Sequence, residues 1–396
     1  MKEMILLPQP VEINGDDHVR RCVVNRVGDG THDSQKELWF RLPCSITLPE
    51  ESDCDSYLLA VFMDALKEGR RIVVKGSVSG VLLSNLIEYQ AVWHKWLPGV
   101  YGIVDIHVDL VRESGSPTPG AVSAFSGGVD AAFTVWRHSQ KKWSYRSQDI
   151  KLGVFVHGFD IPLADADAFA SAFARSKETL RDLSIKLFPI ATNCRDISSV
   201  SWEHSFASAL VAALSNFKRT AGICLVGSGG DYNNLVIPWG SSPISDHLLG
   251  SDEFCVLHDG ASHSRTEKVK EISAWKKGVE NLRVCWEGEL KDRNCGKCEK
   301  CLRTKLNFLA TGAQLPGCFV DGDIAFSAIR LRNTPQYSAL KSICHHARQN
   351  RVQAAWLPEV EKVLRNYAAD HIPYSTKALL AALARRMKSK LFFTRS

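Results

Sequence analysis

Two clusters of residues in this sequence are spaced for chemistry. Cys285, Cys295, Cys298 and Cys301 form a C-x9-C-x2-C-x2-C array. A Cys-x-x-Cys turn brings two thiolates to one ion, and a more distant cysteine closes a tetrahedral site. Four thiolates suit zinc and leave no open position for catalysis, so the metal expected here is structural. Lys297, Lys300 and Arg303 would offset its negative charge. Iron–sulfur ligation, a redox pair and unliganded buried cysteines are the alternatives. The second cluster is Phe125-Ser126-Gly127-Gly128-Val129-Asp130, between an apolar run at 121–125 and a helical pattern with Val129, Ala132, Phe133 and Trp136 on one face. Two glycines between strand and helix let backbone N–H groups turn around an anion, and the helix start adds its own positive dipole end. Asp130 would hold the magnesium ion of a nucleotide. No Lys-Ser or Lys-Thr follows, so this is not a Walker loop. A second Ser-Gly-Gly, at 228–230, runs directly into Asp231 and lacks the two-residue spacing.

The elements around these clusters divide the chain. In residues 1–115, strand-like runs at 21–27, 37–42, 71–75 and 103–111 flank helical stretches at 55–68 and 81–97, an N-terminal α+β accessory domain. The segment ESGSPTPG at 113–120 reads as a linker or sharp turn. Apolar runs then recur at 121–125, 152–156, 186–191, 222–226, 254–258 and 282–286, with helical stretches at 130–142, 164–183, 201–218 and 265–277. That alternation predicts an α/β domain over 121–320, a Rossmann-like parallel sheet covered on both faces, with the cysteine segment 285–301 as an insert. Residues 321–396 read as a helical C-terminal region with a basic tail of Lys377, Arg385, Arg386, Lys388, Lys390 and Arg395.

FSGGVD resembles the pyrophosphate loop of PP-loop ATP pyrophosphatases, which cleave ATP between its α and β phosphates. Their pattern continues with Ser or Thr after the Asp; here Ala131 stands there, without that hydroxyl. The cysteine spacing, the segment CLRTKLNFLATG and the lysine-bearing SRTEKV at 264–269 are similar to the QueC-like, 7-cyano-7-deazaguanine synthase family, over about 121–312. VHGFDIPL and CEKCLRTK, with the long flanking segments, resemble a branch found in bacterial antiviral operons. The resemblance implies an ATP-dependent ligase that adenylates 7-carboxy-7-deazaguanine and then forms an amide, with ammonia or with an amine on a partner protein from the same operon. It implies ATP and Mg2+ as cofactors beside structural Zn2+. Ser126, Asp130, Arg265 and Lys268 become the expected catalytic groups. His157, Asp160, Asn193, Arg195 and Tyr232 become substrate candidates, since all but Tyr232 follow predicted strand ends. Trp239 is a further stacking candidate, and His204 is expected to be a satisfied structural histidine.

Other classes stay open at this stage. The ordinary synthase would need ammonia alone. A zinc-containing nucleic-acid-binding protein would use the basic tail but would not need SGGVD. A PP-loop thiolase would need a catalytic cysteine, for which Cys194 is the candidate. The 396 residues carry a net charge of +6, 45% hydrophobic and 23% charged residues, with twelve cysteines. No run reaches the ~18 apolar residues of a membrane span. The apolar stretch in MKEMILLPQPVEINGDD is too short for a signal peptide. The expectation is a cytoplasmic protein without a membrane partner, with nucleic acid not required and a homodimer as a compatible assembly.

Overall fold

The computed structural model describes residues 2–28, 30, 33–141, 144–285, 287–319 and 329–371. The basic tail therefore lies outside the described residues. Among the described residues, eleven strands form one mixed, mostly parallel sheet: β1 (Glu3–Pro8), β2 (Glu12–Asn14), β3 (Asp17–Val27), β4 (Ser34–Pro43), β5 (Arg71–Ser79), β6 (Ile106–Arg112), β7 (Ala121–Ala124), β8 (Ile150–His157), β9 (Lys186–Thr192), β10 (Ile223–Gly227) and β11 (Cys255–Asp259). Their order is β11-β10-β7-β8-β9-β4-β3-β1-β5-β6, with β2 on β3.

The helices are α1 (Asp55–Glu68), α2 (Gly80–Trp96), α3 (Val129–Ser139), α4 (Ala166–Arg181), α5 (Cys194–Ile197), α6 (Trp202–Leu214), α7 (Arg265–Ile272), α8 (Lys276–Glu280), α9 (Glu299–Ala310), α10 (Thr334–Gln349) and α11 (Trp356–His371). Helix α1 stops at Gly69, whose left-handed backbone returns its N–H to the Ala65 carbonyl. The helical pattern at 265–277 is two helices, not one. Trp275 breaks it, and its indole N–H donates to Asp182 at 2.8 Å.

Strands β7 to β11 are parallel, and the chain runs outward from β7 through β8 and β9 before returning to β7's other side as β10 and β11. The strand order thus reverses between β7 and β10. Beyond the carboxyl ends of strands at such a reversal, a crevice opens that loops can line.

The sheet does not end at β9. Strand β4 pairs antiparallel with it through Phe40 and Arg41, opposite Thr192 and Ala191. The Asn193 amide fastens this seam: it donates to the Glu37 carbonyl at 2.7 Å and accepts from the Trp39 N–H at 3.0 Å. Leu58 and Phe62 of α1 share a core with Leu210 and Val211 of α6. A buried ion network joins the same parts, with Lys218 and Arg112 both contacting Asp53 and Asp55.

The apolar run at 282–286 reads as a strand in the sequence. Residues 282–285 are not one, and Trp286 lies outside the described residues. Their N–H groups have other partners: that of Arg283 donates to the Gly127 carbonyl, and those of Val284 and Cys285 to the Asn294 side chain. Residues 334–371 supply α10 and α11, which pack on α9 through Leu302, Leu306, Ile343 and Val360.

Candidate functional site

The glycine turn follows β7 directly. Gly127 has φ of 79°, a conformation that costs an L side chain dearly. Helix α3 then starts at Val129 with no side chain capping its N-terminus. Beside it, Gly227 ends β10. A Cβ there would lie 3.1 Å from the Asp130 carbonyl, so the missing side chain allows β10 to approach the helix start. Ser228-Gly229-Gly230 follows immediately. The two Ser-Gly-Gly turns therefore flank the strand-order reversal, although only one has the expected spacing to an aspartate.

Helix α7 brings two cations to this crevice. Ser264 caps it in a reciprocal box: its hydroxyl accepts from the Glu267 N–H, and the Glu267 carboxylate accepts from the Ser264 N–H at 2.7 Å. Arg265 and Lys268, three residues apart, then face the same way. Arg265 Nη1 donates to Asp130 Oδ2 at 2.6 Å and Lys268 Nζ to Asp130 Oδ1 at 3.1 Å. The buried Lys268 ammonium also donates to the Ser228 carbonyl. Burial would raise the Asp130 carboxyl, but Arg265 and Lys268 outweigh it and hold it at about 2, against 3.8 ordinarily. Asp130 is thus ionised at neutral pH, which fits a hard-cation ligand.

More positive groups lie nearby. Arg283, 7% exposed, reaches toward Asp160 at 3.8 Å and lies over the Phe155 ring. Lys300, the second residue of α9, forms no hydrogen bond through its ammonium among the described residues. Burial pushes that ammonium down; Asp160 and Asp130 pull it up, while Arg265 and Arg303 push it down. Arg265 and Lys268 thus pair with Asp130 and Arg283 lies within reach of Asp160, while Lys300 and Arg303 add positive charge nearby, Arg303 being itself paired with Glu299 at 2.8 Å. Neither Arg283 nor a crevice role for Lys300 and Arg303 was anticipated. The available signal was Arg283 itself, a lone charge inside the apolar run NLRVCW.

The cysteine array closes into a cluster. All four sulfur atoms lie within 4.8 Å of one another, with Cys285 to Cys298 at 3.7 Å and Cys295 to Cys301 at 3.9 Å. Four thiolates at about 2.3 Å from a tetrahedral zinc would be about 3.8 Å apart, so the donor set fits. The N–H groups of Gly288 and Cys298 donate to Cys285 and Cys295 sulfur, both at 3.3 Å, as they would to thiolates. The cluster could thus hold a metal ion such as zinc. Lys297 is exposed, whereas Lys305 is buried with its ammonium near Gly296.

No family model, curated protein or solved structure matches this chain.

The other candidates are dispersed. His157 is buried, bonds the Pro162 carbonyl at 3.0 Å and stacks on Phe169. Asn193 forms the β4–β9 seam. Arg195 donates to the Phe159 carbonyl at 2.6 Å and lies over Trp202. It lines a cavity of about 230 Å3 between α1, α5 and α6, away from the glycine turn. Tyr232 and Trp239 are exposed at 59% and 37%. His204 bonds the Tyr101 hydroxyl at 2.8 Å beside Trp93, in a packing role. Burial pushes the Cys194 thiol up to about 12, so it is a poor nucleophile. No helix among the described residues is long and apolar enough to cross a membrane.

Proposed function

We propose that the chain uses ATP to activate a carboxylate by adenylation, at the crevice between β7 and β10. The observation that carries this reading is the convergence of Arg265 and Lys268 on an ionised aspartate, beside a glycine turn and an uncapped helix start. Such a site suits a polyanion with its metal. In the reaction, a substrate carboxylate oxygen attacks the α-phosphorus. The bond from the α-phosphorus to its bridging oxygen breaks, and pyrophosphate leaves with the electron pair. An amine then attacks the mixed anhydride and expels AMP.

The residues take separable parts. The glycine turn and the start of α3 offer N–H groups to the pyrophosphate, with Ser126 beside them. Lys268 and Arg265 neutralise charge that develops on the leaving group. Asp130 would hold magnesium, which supplies further neutralisation when bound. Because Asp130 pairs with both cations in the free protein, ligand binding must exchange those partners. The four-cysteine site would hold structural zinc.

The sequence resemblance gives the substrate as 7-carboxy-7-deazaguanine and the branch with a protein acceptor. The accessory segment 1–115 offers surface for such an acceptor, whose retention raises its effective concentration at the adenylate. The same site would serve a synthase that uses ammonia. The buried Cys194 argues against thiolation. The test is exchange of labelled pyrophosphate into ATP, dependent on the carboxylate. Exchange lost in Asp130→Ala supports the reading. ADP and phosphate as products would refute it.

A further inference from the structure

The four-cysteine loop and the glycine turn are not independent. Three consecutive residues, Arg283, Val284 and Cys285, join them. The Arg283 N–H donates to the Gly127 carbonyl at 2.8 Å, and a Cβ on Gly127 would lie 3.5 Å from that of Arg283. Two residues later, Cys285 supplies the first sulfur of the cluster. The buried Arg283 guanidinium points back along this path. Its Nη1 donates to the Lys291 carbonyl at 3.1 Å and lies 3.5 Å from the Cys285 carbonyl, while Nη2 reaches toward Asp160. Asn294, next to Cys295, holds the other side. Its Oδ1 accepts from Val284 and Cys285, and its Nδ2 donates to the Leu282 and Cys318 carbonyls. Residues 282–285 are therefore clamped between the sulfur cluster and the anion crevice, with no strand ladder to hold them instead.

We infer that Arg283 is a positioning residue that makes the glycine turn's geometry depend on the metal loop. An ion held by Cys285, Cys295, Cys298 and Cys301 fixes the loop at 285–301. The guanidinium grips the loop at the Lys291 carbonyl and so holds in register the Arg283 main chain that bonds Gly127, while its other end reaches toward Asp160. Order at the metal site thus lowers the cost of organising the crevice for a polyanion, and the coupling is reciprocal. The polyanion itself rests on the proposed function, whereas the mechanical link does not.

The test uses the full chain, zinc-loaded, with two variants. Arg283→Met keeps the side chain's bulk and all four thiols but removes the fork of donors. Cys298→Ser weakens the metal site directly. Hydrogen–deuterium exchange is followed in peptides covering 125–130 and, separately, 121–124. Inorganic pyrophosphate with excess magnesium is titrated by calorimetry. In Arg283→Met with one zinc per chain, exchange at 125–130 should accelerate at least about fivefold while 121–124 stays protected. Pyrophosphate should bind at least about fivefold more weakly, the lower end of ordinary coupling between sites. Cys298→Ser should loosen the same peptide. Unchanged exchange at 125–130 in Arg283→Met overturns the inference, whatever Cys298→Ser does. If wild-type protein binds no pyrophosphate but exchange responds as stated, the proposed function fails and the link stands.

Discussion

Replacing Asp130 with asparagine separates what its charge does from what its shape does. The carboxylate is 23% exposed and meets Lys268, 1% exposed, and Arg265, 13% exposed. Its carboxyl is held at about 2, against 3.8. At 1.36 kcal/mol per pH unit, that difference corresponds to about 2 kcal/mol of stability from the ionised form. Because the folded value is depressed, this stability is fully present above pH 3.8. It is lost as pH falls toward 2. An asparagine side chain would mimic the neutral acid at every pH, so Asp130→Asn should lower stability at pH 7 by about 2 kcal/mol. With a urea slope of about 3 kcal/mol per molar, the unfolding midpoint should fall by roughly 0.7 M. Tryptophan fluorescence and circular dichroism would follow the transition, which must coincide between probes for the comparison to hold. The difference between the two proteins should shrink as pH falls from 4 to 2. A variant as stable as wild type at pH 7 would refute the ion-pair reasoning.

Cys295→Ser should reduce bound zinc below one per chain by elemental analysis and lower the thermal midpoint, since metal binding and folding are linked. Lys268→Met should weaken pyrophosphate binding by at least about tenfold in calorimetry, because a buried cation that contacts Asp130 and the Ser228 turn is removed from the crevice. Asn193→Ala should destabilise the chain by about 1–3 kcal/mol, leaving two backbone groups at the β4–β9 seam unsatisfied, with little change in pyrophosphate affinity. Cys194→Ser should keep pyrophosphate exchange within about twofold, which distinguishes a buried packing thiol from a catalytic one.

Local signals explain which parts of the structure were legible. Helix α1 could be read residue by residue because its apolar face is periodic and Gly69 stops it. The five apolar runs from β7 to β11 lie within a residue or two of their strands. Strand β1, between the first residues and two prolines, was missed; its identity depends on pairing with β3 and β5, far along the chain. The join of β4 to β9 rests on two residue pairs separated by about 150 positions, which no local pattern carries. The same fact explains Asn193. Placed after a strand end, it reads as a ligand contact, yet its amide is occupied by the neighbouring strand. At the site, the glycine turn and the thiolates were legible because each motif is compact in sequence. Arg265 and Lys268 were named as well, whereas Arg283, Lys300 and Arg303 were not read as part of this site, since the segment that the cysteines organise brings them near it.

The most direct measurement is product analysis by mass spectrometry, after incubating the chain with ATP, magnesium and 7-carboxy-7-deazaguanine, with and without co-expressed proteins from its genomic neighbourhood. The account predicts AMP and pyrophosphate in amounts matched to an amide of the deazaguanine, on a partner protein or as the free amide or nitrile, and none of these with Asp130→Ala. ADP and phosphate, or the same products from the Asp130→Ala protein, would contradict it.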